Sequence, residues 1–142
     1  MNLVIEGFNF QNKEYYQKTL DVRSEVFVNE LKFDKFLEFD AMDNKAMHYI
    51  LFYNQITAGC ARWNETPTEI TINRFCILNQ FRKKGLGHLF IKFILDDIIA
   101  SKKEIKMLST SQTIDFFIKN DFVDSQQNES LGNITYHILK LK

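Results

Sequence analysis

Three cations and two glycines in immediate succession, Arg82-Lys83-Lys84-Gly85-Leu86-Gly87, with His88 behind them, form the stretch best suited to hold an anion. A β-branched apolar run from Ile70 to Leu78 precedes it, and an amphipathic segment carrying Leu86, Leu89, Phe90, Phe93, Ile94 and Ile98 follows. That order reads as strand, basic turn and helix, with both glycines at the helix start. A helix start exposes backbone N–H groups without intrahelical acceptors, at the positive end of the helix dipole. Gly85 and Gly87 would let a phosphate come close to the backbone, and Arg82, Lys83 and Lys84 would add charge on the way in. A basic surface turn capped by glycines satisfies the same residues without any ligand. Two familiar phosphate motifs fail here: no Gly-Lys-Ser/Thr ending makes a P-loop, and Phe90 stands where a dinucleotide fingerprint needs its third glycine. What fits is Arg-x-x-Gly-x-Gly, from Arg82 to Gly87.

A second group with chemical potential is acidic. Glu38, Asp40 and Asp43 fall in Lys32 to Asn44, a stretch without a clean apolar period. These carboxylates could attract a cationic substrate or accept its proton, and a solvated acidic loop capping a neighbouring helix accounts for them equally well. His48 shares a strand face with Ile50 and Phe52 and reads as a satisfied core histidine. Cys60 and Cys76 read as small buried thiols, reduced rather than bonded. The three histidines and two cysteines lack metal-ligand spacing, so no metal is expected.

The elements that must position these residues alternate between periods of two and 3.6. Strands are expected at Leu3 to Phe8, Ala46 to Tyr53, Ile56 to Trp63 (after an Asn54-Gln55 turn), up to Leu78, and at Ile105 to Leu108. Phe122-Val123 and Ile134 to Leu139 supply one or two closing strands. Helical spacing runs from Lys13 to Leu31, interrupted at Arg23-Ser24, and from about Gly85 to Ala100, with a short helix at Thr113 to Lys119; Lys32 to Asn44 is a loop or broken helix. With 142 residues, 45% hydrophobic and 25% charged, residues 1–142 are expected to form one α+β or α/β domain. Net charge is zero, which gives no field favouring nucleic acid or a membrane surface. The start, Met1-Asn2-Leu3-Val4-Ile5-Glu6, has no leader character and no apolar run approaches a membrane span, so a cytoplasmic location is expected.

Five separated segments then resemble the GNAT superfamily of N-acyltransferases, in particular its ElaA-like branch. Arg23 to Glu30 is similar to the R-x-x-V-F-V-x-E helix of that branch, and Glu38, Asp40 and Asp43 with His48 to its E-x-D-x-x-D…H segment. Gly59-Cys60-Ala61-Arg62 resembles its G-x-x-R strand, Arg74-Phe75-Cys76-Ile77 the strand before the phosphate loop, and Phe116-Phe117 with Asp121-Phe122 the F-Y-x-x-x-G-F block. The resemblance covers almost the whole chain. It implies a mixed, mostly antiparallel sheet of six to seven strands, splayed centrally, with three to four helices and acetyl-CoA in the split. Backbone of Phe75, Cys76 and Ile77 would pair with the pantetheine amides, and N–H groups from Lys83 to His88, through Lys84, Gly85, Leu86 and Gly87, would cradle the pyrophosphate.

The implied activity is direct transfer of an acetyl group from acetyl-CoA to a primary amine of a small molecule or peptide; a homodimer stays open. A non-catalytic acyl-CoA-binding or interaction module on the same fold is the alternative. Two departures bear on it. Phe117 replaces the tyrosine that often protonates the leaving CoA thiolate, and Asp121 replaces a glycine. Phe117 is therefore expected to wall the pantetheine arm, with the thiolate's proton coming from water, Tyr136 or His137, which lies where the ElaA-like pattern also has a late histidine. Glu38 is the first choice for keeping the incoming amine neutral. Valine at Gly85 or Gly87 is expected to weaken coenzyme A binding.

Overall fold

The computed structural model describes residues 2–132 and 134–142, and their side chains except those of Phe36 and Leu37. Met1, at the head of the segment read for a leader, lies outside this set, as does the Phe36 side chain of the acidic stretch. Seven strands form one sheet: β1 (Leu3–Phe8), β2 (Met47–Tyr53), β3 (Ile56–Glu65), β4 (Glu69–Ile77), β5 (Glu104–Ser109), β6 (Phe122–Leu131) and β7 (Ile134–Leu141). Their spatial order is β1-β2-β3-β4-β5-β7-β6. Every pairing is antiparallel except β4 with β5. The connection between those two parallel strands carries α3 (Leu86–Ile98), as a parallel pair requires a crossover. The β2–β3 turn at Asn54 and Gln55 has both φ angles positive, 49° and 70°, which matches the twist of a two-residue hairpin.

Opposite faces of the sheet carry different partners. On one, α3 buries Leu86, Phe90, Ile91, Ile94 and Ile98 against Tyr49, Leu51, Ile70, Ile72 and Met107. On the other, α1 (Lys13–Arg23) and its continuation pack Val22, Val26 and Phe27 onto Cys60 and Cys76. The interruption expected at Arg23-Ser24 is a change of winding rather than a break. From Ser24 to Glu30 the helix widens to a π-type coil, with Leu31 N donating to Val26 O at 2.9 Å.

A β-bulge decides the shape of the middle of the sheet. Cys60 pairs with Cys76 and Arg62 with Asn73, so Ala61 alone stands opposite both Arg74 and Phe75. Arg74 takes up the extra length with φ at 52°. The bulge lets Asn73 and Cys76 both face α1 while Ile72, Phe75 and Ile77 face α3, and it bends β4 away from its neighbour. Pairing of β4 with β5 accordingly ends at Ile72 with Met107, although β4 runs on to Ile77 and β5 to Ser109. The sheet is splayed there, as the family resemblance implies.

The acidic stretch is not a solvated loop. It folds into α2 (Lys35–Glu38) and a 3-10 turn (Ala41–Asn44) over the α1 face, held by three arginines meeting three carboxylates. Arg23 Nε lies 2.8 Å from Glu38 Oε1 and its Nη1 2.8 Å from Asp43 Oδ1; Arg62 Nη1 lies 2.7 Å from both Asp40 Oδ1 and Asp43 Oδ1. Arg74 Nη2 lies 3.3 Å from Asp40 Oδ2, while its Nε is 2.9 Å from Glu38 Oε2. That Nε–H points at the Glu38 carbonyl oxygen, 3.3 Å away, so contact with the carboxylate is an ion pair and not an aligned hydrogen bond. Burial pushes the Asp43 carboxyl up, but Arg23 and the Tyr16 hydroxyl, 2.7 Å away, bring it below the usual range. Burial and the same contact push the Tyr16 phenol up to about 12.

Removing one cation from such a network leaves buried charge unmatched, which costs about 3–5 kcal/mol. Arg62→Met is therefore expected to lower unfolding free energy in urea by that amount. His48 gives a pH signature. It is buried, stacked on Phe8 with ring centroids 5.3 Å apart, and its Nε2 sits 2.8 Å from Asp43 O. Burial holds the imidazole below its ordinary value of 6.5, so the unfolded chain takes a proton before the folded one does. Thermal midpoints should fall as pH drops below about 6.5, and His48→Gln should flatten the slope between pH 6.5 and 5.

Candidate active site

The gap between β4 and β5 opens on both sides of the sheet. One cavity of about 430 Å³ passes through the gap, from Val26, Phe27 and Leu31 on the α1 face, past the β4 edge at Phe75, Cys76 and Ile77, to the basic turn, Thr110, Phe116 and Phe117. On the α1 face a second cavity, of about 450 Å³, is bounded by Asp40, Arg62, Asn73 and the β6 residues Glu129, Ser130 and Leu131. Arg74, Leu108 and Tyr136 belong to the walls of both. A reactant entering from either side would meet the other there.

The β4 edge keeps its ladder on the β3 side, where Gly59 pairs with Ile77 and Cys60 with Cys76. Beyond Ile72 it has no ladder partner on the β5 side, so the backbone groups that alternate residues from Phe75 to Ile77 direct to that side form an open edge for an extended ligand. A Cβ on Gly59 would lie 2.7 Å from Cys76 O, so glycine keeps β3 and this edge in register. Cys76 Sγ is 3.7 Å from Cys60 Sγ, too far for a bond, and burial pushes the Cys76 thiol well up. Both are buried, unbonded thiols.

The basic turn works differently from residue to residue. Gly85 begins α3 with φ at 79°, and Lys83 before it is also left-handed at 63°. The first intrahelical bond runs from Leu89 N to Gly85 O at 3.4 Å, so the N–H groups of Leu86, Gly87 and His88 have no acceptor inside the helix. Arg82 is not a free cation: it grips the Glu30 carboxylate at 2.7 and 2.8 Å and donates from Nε to Ile77 O at 2.8 Å. Lys83 lines the cavity, whereas Lys84 is exposed outside it. His88 also lines it, with Nδ1 2.6 Å from Asn120 Oδ1.

The three residues expected to handle protons separate. Tyr136 is 4% exposed, and its hydroxyl accepts a hydrogen bond from Arg74 Nη1 at 3.2 Å. Guanidinium has no acceptor, so the phenol proton itself stays available to another group. Burial pushes this phenol up, keeping it protonated. His137, its neighbour on β7, points to the opposite face, meets Ser111 Oγ at 3.1 Å and lines neither cavity. Glu38 is 1% exposed, paired with Arg23 and Arg74, and borders neither cavity. The expectation that Glu38 faces the amine is corrected on that ground: its carboxylate is consumed in fixing Arg74. Phe117 is 1% exposed and edge-on to Phe75 with centroids 5.3 Å apart, an apolar wall. Asn73 and Glu129 were not singled out by type or spacing, and Arg74 was noted only as the start of the segment Arg74-Phe75-Cys76-Ile77, with no role of its own. A left-handed arginine inside a strand leaves no mark in the sequence, and a lone Glu among Gln127, Asn128 and Ser130 resembles any exposed turn. Among the described residues no three His, Cys, Asp or Glu side chains gather as a metal site.

The profile described as "Acetyltransferase (GNAT) domain" matches residues 11–142. The chain belongs to the GNAT acetyltransferase family. It is 27% identical over 130 residues to YyaT of Bacillus subtilis (strain 168), covering 88% of this chain and 86% of that protein. Among solved structures it is similar to Escherichia coli ElaA, with a TM-score of 0.84 at 14% identity, covering 97% and 99% of the two chains. It also resembles a GNAT family acetyltransferase of Elizabethkingia anophelis with acetyl-CoA bound: TM-score 0.66, 13% identity, 99% and 98% covered. GNAT membership and this fold together make the cavity that runs through the gap to the basic turn the one to test with CoA.

The two glycines of the GNAT turn have separable roles. A Cβ on Gly87 would sit 3.0 Å from Phe116 Cζ and 3.1 Å from Cε1, whereas one on Gly85 would meet nothing within 4 Å. Gly85→Ala is expected to cost about 1–2 kcal/mol through its left-handed φ alone. Gly87→Val is expected to lower the thermal midpoint by displacing the Phe116 ring. Calorimetric CoA affinity should fall in both.

Proposed function

We propose that residues 1–142 act as one catalytic domain that transfers an acetyl group from acetyl-CoA directly to a primary amine of a small molecule or peptide. The observation that carries this reading is the meeting of two cavities, one running through the gap in the sheet and one on its α1 face, at Tyr136, Arg74 and Leu108. In it, the pyrophosphate rests on the N–H groups of Leu86, Gly87 and His88, with Lys83 supplying charge at the cavity wall, Lys84 adding to the field from outside it and Arg82 bracing the turn through Glu30. The pantetheine arm lies along Phe75, Cys76 and Ile77 and against Phe117. These residues fit the co-substrate because a free strand edge leads without interruption to a helix start of the right polarity. The ligand named for the Elizabethkingia relative supports the same choice.

The amine nitrogen attacks the thioester carbonyl carbon; a C–N bond forms, the C–S bond breaks, and the nitrogen gives up one proton to solvent. Tyr136 Oη donates its proton to the departing sulfur, and Arg74 steadies the phenolate left behind until it is reprotonated from solvent. Glu38 serves by holding Arg74. Two thiols kept reduced support a cytoplasmic location. A second reading, a non-catalytic acyl-CoA-binding module, is favoured by one observation: Phe117 brings no hydroxyl to the cavity.

Free-thiol release from acetyl-CoA across a panel of amines separates them. The expected result is amine-dependent release that Tyr136→Phe reduces about 10²-fold while CoA affinity stays within about twofold. A wild-type protein that binds CoA and turns over no amine is the binding module. A fully active Tyr136→Phe protein moves the acid to water.

A further inference from the structure

The cavity on the α1 side carries three carboxylates, Asp40, Glu65 and Glu129. Two are engaged. Asp40 faces Arg62 at 2.7 Å and Arg74 at 3.3 Å, and Glu65 holds Lys103 Nζ at 2.6 Å. Arg62 and Arg74 are in turn matched within the network of three arginines and three carboxylates. Glu129 has no cation within ion-pair distance among the described residues, so it gives this cavity a net negative charge.

Its position is set by the ladder. Glu129 pairs with Tyr136 in the antiparallel β6–β7 register, so the two side chains rise from the same face with Cβ atoms about 5 Å apart. Both reach the same cavity wall, and Tyr136 marks the junction with the first cavity. The carboxylate is thus within one side-chain length of where the amine must react. A second polar group points the same way. Asn73 is nine-tenths buried, and its Oδ1 accepts from Arg62 Nε at 2.9 Å, which fixes the amide orientation. Its Nδ2 hydrogens have no partner among the described residues and are available to a hydroxyl or carbonyl oxygen. The remaining wall mixes short polar side chains, Thr71 and Ser130 among them, with the apolar Met42 and Leu131.

We propose that Glu129 is the specificity-determining carboxylate of the acceptor site, so that the acceptor arrives as a compact ammonium ion bearing an oxygen function that Asn73 can reach. This rests on the acyl-transfer reading above. The ammonium pairs with Glu129, releases one proton to solvent and attacks as the neutral amine, which gives up its second proton as the amide forms.

Two probes isolate the charge: ethanolamine, a cation at pH 7.5, and 2-(aminooxy)ethanol, which has the same hydroxyl and a neutral nitrogen. With acetyl-CoA saturating, Glu129→Gln is expected to raise KM for ethanolamine about tenfold or more and to leave that for 2-(aminooxy)ethanol within twofold. Glu129→Asp restores most of the ethanolamine response, and CoA affinity is the same in all three proteins. Equal losses on both probes, or none on ethanolamine, overturn the proposal. If the wild-type protein acetylates neither probe nor any amine of the panel, acyl transfer itself has failed, and binding of ethanolamine to the CoA-loaded protein by calorimetry then decides about Glu129. Binding that weakens tenfold in Glu129→Gln upholds it; binding unchanged, or none in the wild type, sinks it.

Discussion

One arginine in a conformation that side chains disfavour shapes the middle of this molecule. Arg74 sits in β4 at φ 52°, where a non-glycine residue costs about 1–2 kcal/mol. The conformation persists because its surroundings hold it: Glu38 at 2.9 Å, Asp40 at 3.3 Å and the Tyr136 hydroxyl at 3.2 Å all take its guanidinium. In exchange the strand gains one residue against β3, bends, and leaves β5 after Ile72. Both cavities, the open strand edge and the placing of Tyr136 between them follow from that departure. The ion network is the counterweight to the strain.

Local order was legible because periodicity reports it directly. The alternation of β2 and β3, the Asn-Gln turn and the apolar face of α3 came through with small boundary differences. The long β6 did not: only Phe122 at its start is buried, the rest faces solvent on at least one side, and a polar strand of this kind has no apolar alternation to detect. The acidic stretch was misjudged for a different reason. Charged residues read as solvated until their partners are known, and Arg23, Arg62 and Arg74 come from three other elements.

The candidate site divides along the same line. The turn from Arg82 to His88 is contiguous and carries its own signature, so its place at the start of α3 could be read off. Roles within it could not, since the partner that engages Arg82 is Glu30, 52 residues away. Strand parity settled the proton handlers. Tyr136 and His137 are neighbours in sequence, yet only one of any two adjacent strand residues faces a given side. Glu129 became visible only through the register that sets it across from Tyr136.

The bulge also makes this cleft vulnerable in an unusual way. Its existence depends on a count, two residues of β4 to one of β3, as well as on the side chain that holds Arg74 in place. An in-frame loss of a single codon at 74 or 75 would restore an even ladder, with Asn73 and Cys76 two residues apart and still on one face, and allow β4 to zip onward along β5. The resulting chain would keep most of its apolar residues and its sheet, yet have no gap for two reactants to meet in. The length of one strand at one point is thus itself part of the site, because the gap exists only while β4 carries its extra residue.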